Sequence, residues 1–249
     1  MLNWGRGKVG RFEANQWKRP EMSDIRDLLR IYGVDPEERD EIEDLAIRSR
    51  ARPWWRDCAD IFENEFPGFE NDANRIRVFI PLVLPGLLQT QEYAEAFMKI
   101  GPRPPAWRHE ALRTRLRRQE ILDRTNGTAP ELTAIVTEAS LLYQWGSRAD
   151  RRDQIRHLIT IGQRRGVDLR VQRFADGPPR GLMSAINIFD FPEAGEPSIA
   201  YTETDIGIQE VTGSEHVAMY SQSFDRAVDG ALEPDDTALY LRQLARQTE

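Results

Sequence analysis

The sequence predicts an α+β protein, mostly helical, with a small mixed sheet in its carboxyl-terminal part. Amphipathic runs at about 148–165, 214–228 and 234–246 carry apolar residues at helical spacing. Short β-branched runs lie among them, at Leu132–Thr137, Val167–Val171, Ile186–Phe191 and Ile199–Tyr201. Composition agrees: 249 residues, 40% hydrophobic and 30% charged, exclude a disordered or fibrous chain.

Taken in order, Ser23 is placed to cap a short helix with Ile25, Leu28, Leu29 and Tyr32 on one face, ended by Gly33. Asp35-Pro36 opens the next helix, whose stripe Ile42, Leu45 and Ala46 runs until Pro53. Trp54 to Pro67 is aromatic and irregular, and Glu70 to Phe79 reads as a helix leading into a turn from Pro81 to Thr90. Thr90 caps a helix with Tyr93, Ala94, Phe97 and Met98 inward, stopped by Gly101. A long Arg-rich helix from Trp107 to Arg124 has Leu112, Leu116 and Leu122 inward and ends at Asn126-Gly127. The strand Leu132–Thr137 follows, then Glu138–Trp145, the helix 148–165 closed by Gly166, three strands, and two final helices.

The formal charge of −7 argues against a wholly basic nucleic-acid coat, yet it is unevenly spread. Within residues 1–20, Arg6, Lys8, Arg11, Lys18 and Arg19 face only Glu13, a local surplus of +4. A lone cysteine, Cys58, allows no internal disulfide and fits a reduced cytoplasm, and with three histidines it leaves little for a metal site. The longest apolar stretch, Phe79–Leu88, is broken by Pro81, Pro85 and Gly86 and is too short for a bilayer span, so no membrane is expected.

Enzyme templates fail: there is no Gly-x-Ser-x-Gly elbow, phosphate loop, dinucleotide fingerprint or His-Glu-x-x-His. No catalytic residue, metal or cofactor is assigned. The carboxylates that end strands, Glu138 and Glu203, could converge on a pocket with Tyr143, Trp145 and Tyr201; the alternative is an acidic sheet rim exposed to water. As a ligand pocket these residues would suit a cationic or amide-bearing molecule. Seven arginines between Arg103 and Arg124 and eight between Arg148 and Arg173 could form an anionic-ligand surface. The interleaved Glu110, Glu120, Asp123, Asp150 and Asp153 favour local ion pairs instead.

At the amino end, Leu2-Asn3-Trp4-Gly5-Arg6-Gly7-Lys8-Val9-Gly10-Arg11-Phe12-Glu13 with Lys18-Arg19-Pro20 resembles the turn and recognition helix of xenobiotic-response-element-type helix-turn-helix repressors. The copy is partial: the chain begins where that family's second helix ends, as a truncated form would. Further on, Trp54-Trp55, Ile76-Arg77-Val78-Phe79, Leu84-Pro85-Gly86-Leu87-Leu88-Gln89-Thr90, Tyr93-Ala94, Arg117-Arg118-Gln119, Thr137-Glu138-Ala139-Ser140-Leu141 and Tyr201-Thr202-Glu203 are similar to stretches of a large carboxyl-terminal domain. That domain, of unsettled role, belongs to actinobacterial antitoxin-like transcriptional regulators. The stretch Pro85–Thr90 with Tyr93-Ala94 is its most specific piece.

The resemblance implies a partial helix-turn-helix remnant at 1–35 and a regulatory α+β domain at 36–249 that senses a ligand or partner. In it, Arg6, Lys8, Arg11, Lys18 and Arg19 would contact DNA, and Gln89, Glu138, Trp145, Tyr201 and Glu203 would line a ligand site. Expected partners are DNA, if the helix-turn-helix is complete or supplied in trans, a small partner protein and a second copy in a homodimer. Gly5, Gly7 and Gly10 weaken the recognition helix by ~1 kcal/mol each. A DNA-incompetent association module is therefore the alternative, and an enzyme using Glu138 and Glu203 is a third reading.

Overall fold

The computed structural model describes residue 10 and residues 21–50, 54–58, 61–125, 127–192, 195–204 and 207–248. The helix-turn-helix resemblance and its basic residues Arg6, Lys8, Arg11, Lys18 and Arg19 lie outside the described residues. Contacts divide the chain into two compact units, Met1–Arg56 and Asp57–Glu249, whereas the sequence drew its line between 35 and 36.

In the first unit, helix α1 (Met22–Tyr32) buries Leu28 and Leu29 and ends at Gly33, which takes φ 70°. That left-handed conformation costs glycine nothing. The amino-terminal cap position belongs to Glu21, whose side chain does not cap the helix, and Ser23 lies inside the helix. Helix α2 (Pro36–Arg50) starts where Asp35 Oδ1 accepts from the backbone N–H of Glu37 and Glu38, at 3.0 and 3.1 Å. Arg26 ties the two helices through Glu43 at 2.6 Å. Leu45, expected on an inward stripe, is exposed.

The second unit is built on a six-stranded mixed sheet, which bears out the α+β expectation. Its strands are β1 (Arg75–Ile80), β2 (Glu131–Thr137), β3 (Val167–Gln172), β4 (Ile186–Asp190), β5 (Ile199–Thr204) and β6 (Gly207–Glu210). Their order is β3-β2-β1-β4-β5-β6; the first three are parallel, and β4 to β6 add antiparallel on the other side of β1. The expected helix over 70–79 is thus half strand. Helix α3 (Phe66–Asp72) ends early, and 75–80 forms the central strand, buried at every position but the first. A strand covered on both faces shows no alternation, so its pattern was mistaken for a helix. Strand β6 went unseen because a four-residue edge strand with one half-buried apolar residue carries almost no periodic signal.

Helices α4 (Gln91–Ile100), α5 (Pro105–Gln119), α6 (Glu138–Leu142), α7 (Arg148–Ile161) and α9 (Pro234–Gln247) belong with one face of the sheet. Its core holds Ile76, Val78, Leu132, Ala134, Val136, Leu169, Val171, Phe189 and Tyr201 beneath Phe66, Leu84, Leu88, Leu158 and Leu241. Helix α8 (Ser214–Val228) covers Phe79, Ile135, Ile186, Ile188 and Ala200 on the other face through Val217, Phe224 and Ala227. The capping expectation holds at Thr90, which accepts from Tyr93 N at the start of α4. It fails at Gly166: α7 ends at Ile161 with Gly162 at its cap position, and Gly166, at φ 82°, instead makes the turn into β3. Helix α5 turns a different side inward than its leucines suggested: Ala111, Thr114 and Arg118 are buried, and Leu112 and Leu116 only partly.

Among the described residues no helix is long and apolar enough to cross a membrane.

Candidate functional site

The loop between β1 and α4 leaves the sheet at its carboxyl edge and turns back through a short 3-10 segment, Gly86–Leu88. It lies buried, and a buried loop must satisfy its own backbone. Three glutamines do this. Gln119 Nε2 donates to the carbonyls of Gly86 and Gln89 at 2.7 and 2.8 Å. Gln154 Nε2 donates to Leu88 O at 2.8 Å while its Oε1 accepts from Thr90 N at 2.6 Å. Gln89 Nε2 donates to Leu84 O at 2.7 Å, and Tyr93 OH accepts from Leu84 N at 3.2 Å. Burial pushes the Tyr93 phenol up to about 12.

Two arginines from successive turns of α5 lie against this loop. Arg118 is buried and donates through Nε and Nη2 to both oxygens of buried Glu70, at 2.6 and 2.7 Å. Its guanidinium also stands 5.3 and 5.0 Å from the rings of Phe62 and Phe66. Burial works against this cation, but the charge and hydrogen bonds of Glu70 outweigh it and raise its pKa.

Arg115 is in the opposite position. It is half-buried and donates once, through Nη1 to the neutral Gln89 Oε1 at 2.6 Å, with its Cζ 6.0 Å from the Phe97 ring. Among the described residues it has no ion pair with a carboxylate within 4.0 Å. Burial, with Arg118's charge adding, pushes its pKa down to about 10; Glu203 acts on it favourably at longer range. A methyl added at Gly86 would lie in ordinary contact with Arg115 Nε and Arg118 Nη1, at 3.7 Å, which shows how near the loop backbone runs to both groups.

The sequence-derived ligand residues are distributed around this crevice and away from it. Gln89 is its centre. Glu203 neighbours both arginines electrostatically and accepts from Asn187 Nδ2 at 2.9 Å. Tyr201, two residues back on β5, is a core side chain packed on Phe66 and Phe189; burial and then Glu210, which accepts its hydroxyl proton at 3.3 Å, raise its pKa. Trp145 stands one layer out, against Tyr93 and Phe97 at 5.9 and 5.4 Å between ring centres. Its indole N–H is buried with no acceptor among the described residues.

Glu138 belongs elsewhere. It accepts from Phe174 N at 2.6 Å and from Tyr240 OH at 2.7 Å. Strands β1 and β4 lie between its strand and that of Glu203, three spacings or about 14 Å across the sheet. The structure does not bring these two carboxylates together.

Sequence reasoning missed Arg115, Arg118 and Glu70 as a group. The arginines were visible as part of a cationic run that the interleaved acids were expected to neutralise locally. Arg113 does so with Glu110, three residues away, but the partner of Arg118 lies 48 residues upstream. Spacing carries no signal for such a pair.

An open cavity of about 600 Å³ lies at the other edge of the sheet, lined by Asn74, Arg75, Arg77, Glu131, Asp190 and Phe191 among others. None of the sequence-derived site residues lines it. Among the described residues no cluster of three or more His, Cys, Asp or Glu side chains is arranged to hold a metal.

No curated protein matches the chain. A family model matches residues 64–243, a stretch that takes in all six strands, the buried loop, both arginines and Glu70. With most of its length so matched, the chain belongs to the family described as Domain of unknown function (DUF5753).

Proposed function

We propose that the protein is a transcriptional regulator of the antitoxin-like kind, in which the α+β body senses a ligand or partner and the basic amino end contacts DNA. The observation that carries this reading is the division of labour along the chain. Residues 1–20 carry a surplus of +4 in a protein whose formal charge is −7, and the sheet with its loop-facing arginines belongs to a separate compact unit. A phosphate-contacting segment and an acidic receptor body have opposite charge requirements, and separating them meets both. The buried loop suits binding: Gln89, Gln119 and Gln154 hold its backbone in place beside Arg115 and Arg118.

The test is titration of the full chain with a duplex from its own upstream region and with a scrambled duplex, each at two salt concentrations. If Arg6, Lys8, Arg11, Lys18 and Arg19 each neutralise a phosphate, log K falls with log salt at a slope near −4 to −5, since each contact contributes about −0.9. Replacing Arg6, Lys8 and Arg11 with Ala together should flatten that slope to about −2. Binding that is salt-insensitive, or equal on both duplexes, would overturn the reading.

A further inference from the structure

We infer that Arg115 is the receptor for the carboxylate group of a small organic anion, held where α5 meets the loop after β1, at the carboxyl edge of the sheet. The inference names the ligand class for the sensing role proposed above and rests on that reading for its regulatory consequence alone.

The first ground is placement. The loop follows β1, and β1 is the strand on whose two sides the sheet grows in different directions, to β2 and to β4. In open sheets flanked by helices, ligands sit outside the carboxyl ends of parallel strands, the edge at which this loop lies. Asn187 near the start of β4 and Glu203 near the end of β5 lie at the same edge.

The second ground is incomplete pairing. A guanidinium carries five N–H donors, and Arg115 gives one of them to a neutral amide. One turn along the same helix, Arg118 has a buried carboxylate bound through two bonds. The fold therefore supplies an acid to one arginine and withholds it from the next. A cation kept partly from water beside another cation is costly, and an arriving anion relieves that cost.

The third ground selects among anions. Glu70 and Glu203 already act on this pair of arginines, so a second negative charge on the ligand would meet repulsion. A planar monoanion that takes two parallel N–H bonds fits better than a phosphate dianion. Phe97, against both Arg115 and Trp145, offers an apolar wall to the carbon skeleton.

The experiment uses the full chain, with thermal melts and calorimetric titration in sodium acetate, sodium benzoate or sodium phosphate, and sodium chloride at matched ionic strength as the blank. Acetate and benzoate should raise the melting temperature above the chloride blank. Arg115→Lys keeps the charge without the fork, and Arg115→Gln removes both. Each should weaken carboxylate binding by about ten- to a hundredfold, the usual effect of losing charge-assisted bonds.

Gln89→Glu provides the complementary test, because it places an internal carboxylate on the guanidinium at the position of the present 2.6 Å bond. It gives up the bond from Gln89 Nε2 to Leu84 O, so the ligand-free protein should melt lower, and it should abolish the response to acetate and benzoate. The inference is overturned if neither carboxylate exceeds the chloride blank, if Arg115→Lys or Gln89→Glu responds as the parent does, or if phosphate alone binds. Should carboxylates bind at Arg115 while promoter affinity is the same with and without them, the site stands and the sensing role falls.

Discussion

Replacing Glu70 with Leu isolates the energetics of the buried ion pair. Glu70 is 2% exposed and Arg118 9%, and their two bonds leave no room for water to take over either end. Removing the acid strands a guanidinium in the core, with the Phe62 and Phe66 faces as its main remaining support. Breaking a buried pair in this way costs about 3–5 kcal/mol. For a unit of this size that corresponds to a fall in melting temperature of roughly 6–20 °C, at ~2–4 °C per kcal/mol.

Replacing both partners, Glu70→Leu with Arg118→Met, removes two charges and leaves apolar volume in their place, so most of the loss should return. Removing Arg118 also frees Arg115 from its like-charged neighbour, in the Arg118→Met single variant as in the double. Urea melts of the parent, both single variants and the double variant complete a cycle, with an expected coupling of about 2 kcal/mol or more. A Glu70→Leu protein within about 1 kcal/mol of the parent, or a double variant as unstable as the single, would refute this account of the crevice.

Further outcomes follow from the same geometry. Gln154→Leu leaves Leu88 O and Thr90 N without their partners and should cost about 2–4 kcal/mol, more than the ~1 kcal/mol of Thr90→Ala at the adjacent cap, as read by urea melts. Gly166→Ala should cost about 1–2 kcal/mol through φ 82° alone, since nothing lies within 4 Å of its added methyl, and Gly166→Asn should cost less. Stability should fall as pH rises above 10, because Tyr93, Tyr201 and Tyr240 keep their protons in the fold while the unfolded chain loses them. Arg115, with its folded pKa down at about 10, opposes them in part; Tyr240→Phe should reduce the alkaline loss, followed by tyrosinate absorbance. Burial, then Arg164, lowers the pKa of His157, so its contribution is present above the ordinary histidine value near 6.5 and lost below it; His157→Gln should flatten the acid limb of a stability–pH curve.

Much of the fold was legible because local rules agreed with the tertiary outcome. Thr90 and Gly33 mark boundaries whose chemistry is complete within a few residues of chain. Leu132–Thr137 and Val167–Gln172 read as strands because β-branched residues and, in the second, alternation favour them. The failures share a cause. Arg75–Ile80 is a strand because two neighbouring strands and two core layers enclose it, and none of that is encoded in its own six residues. The inward face of α5 was misjudged for a similar reason: its leucines were expected to enter the core, yet Arg118 does, because distant Glu70 makes burial tolerable. Of the site, Glu203 is legible as a carboxylate ending a strand and Gln89 through the resemblance of its motif, whereas what distinguishes Arg115 is the missing acid, which leaves no trace in its own stretch of sequence.

The placement of β1 at the centre of a half-parallel, half-antiparallel sheet also sets the order in which the chain can assemble. Its first partner, β2, begins at Glu131, and its second, β4, is complete only at Asp190. Until that point is synthesised, one edge of a strand made of Ile76, Val78, Phe79 and Ile80 stays open to pairing with other chains. Pairings so remote in sequence close slowly. Carboxyl-terminal deletions reaching into β4 should therefore produce insoluble aggregates rather than a smaller folded core, and expression trials should keep every residue through α9, whose Leu241 and Leu244 seal the same core.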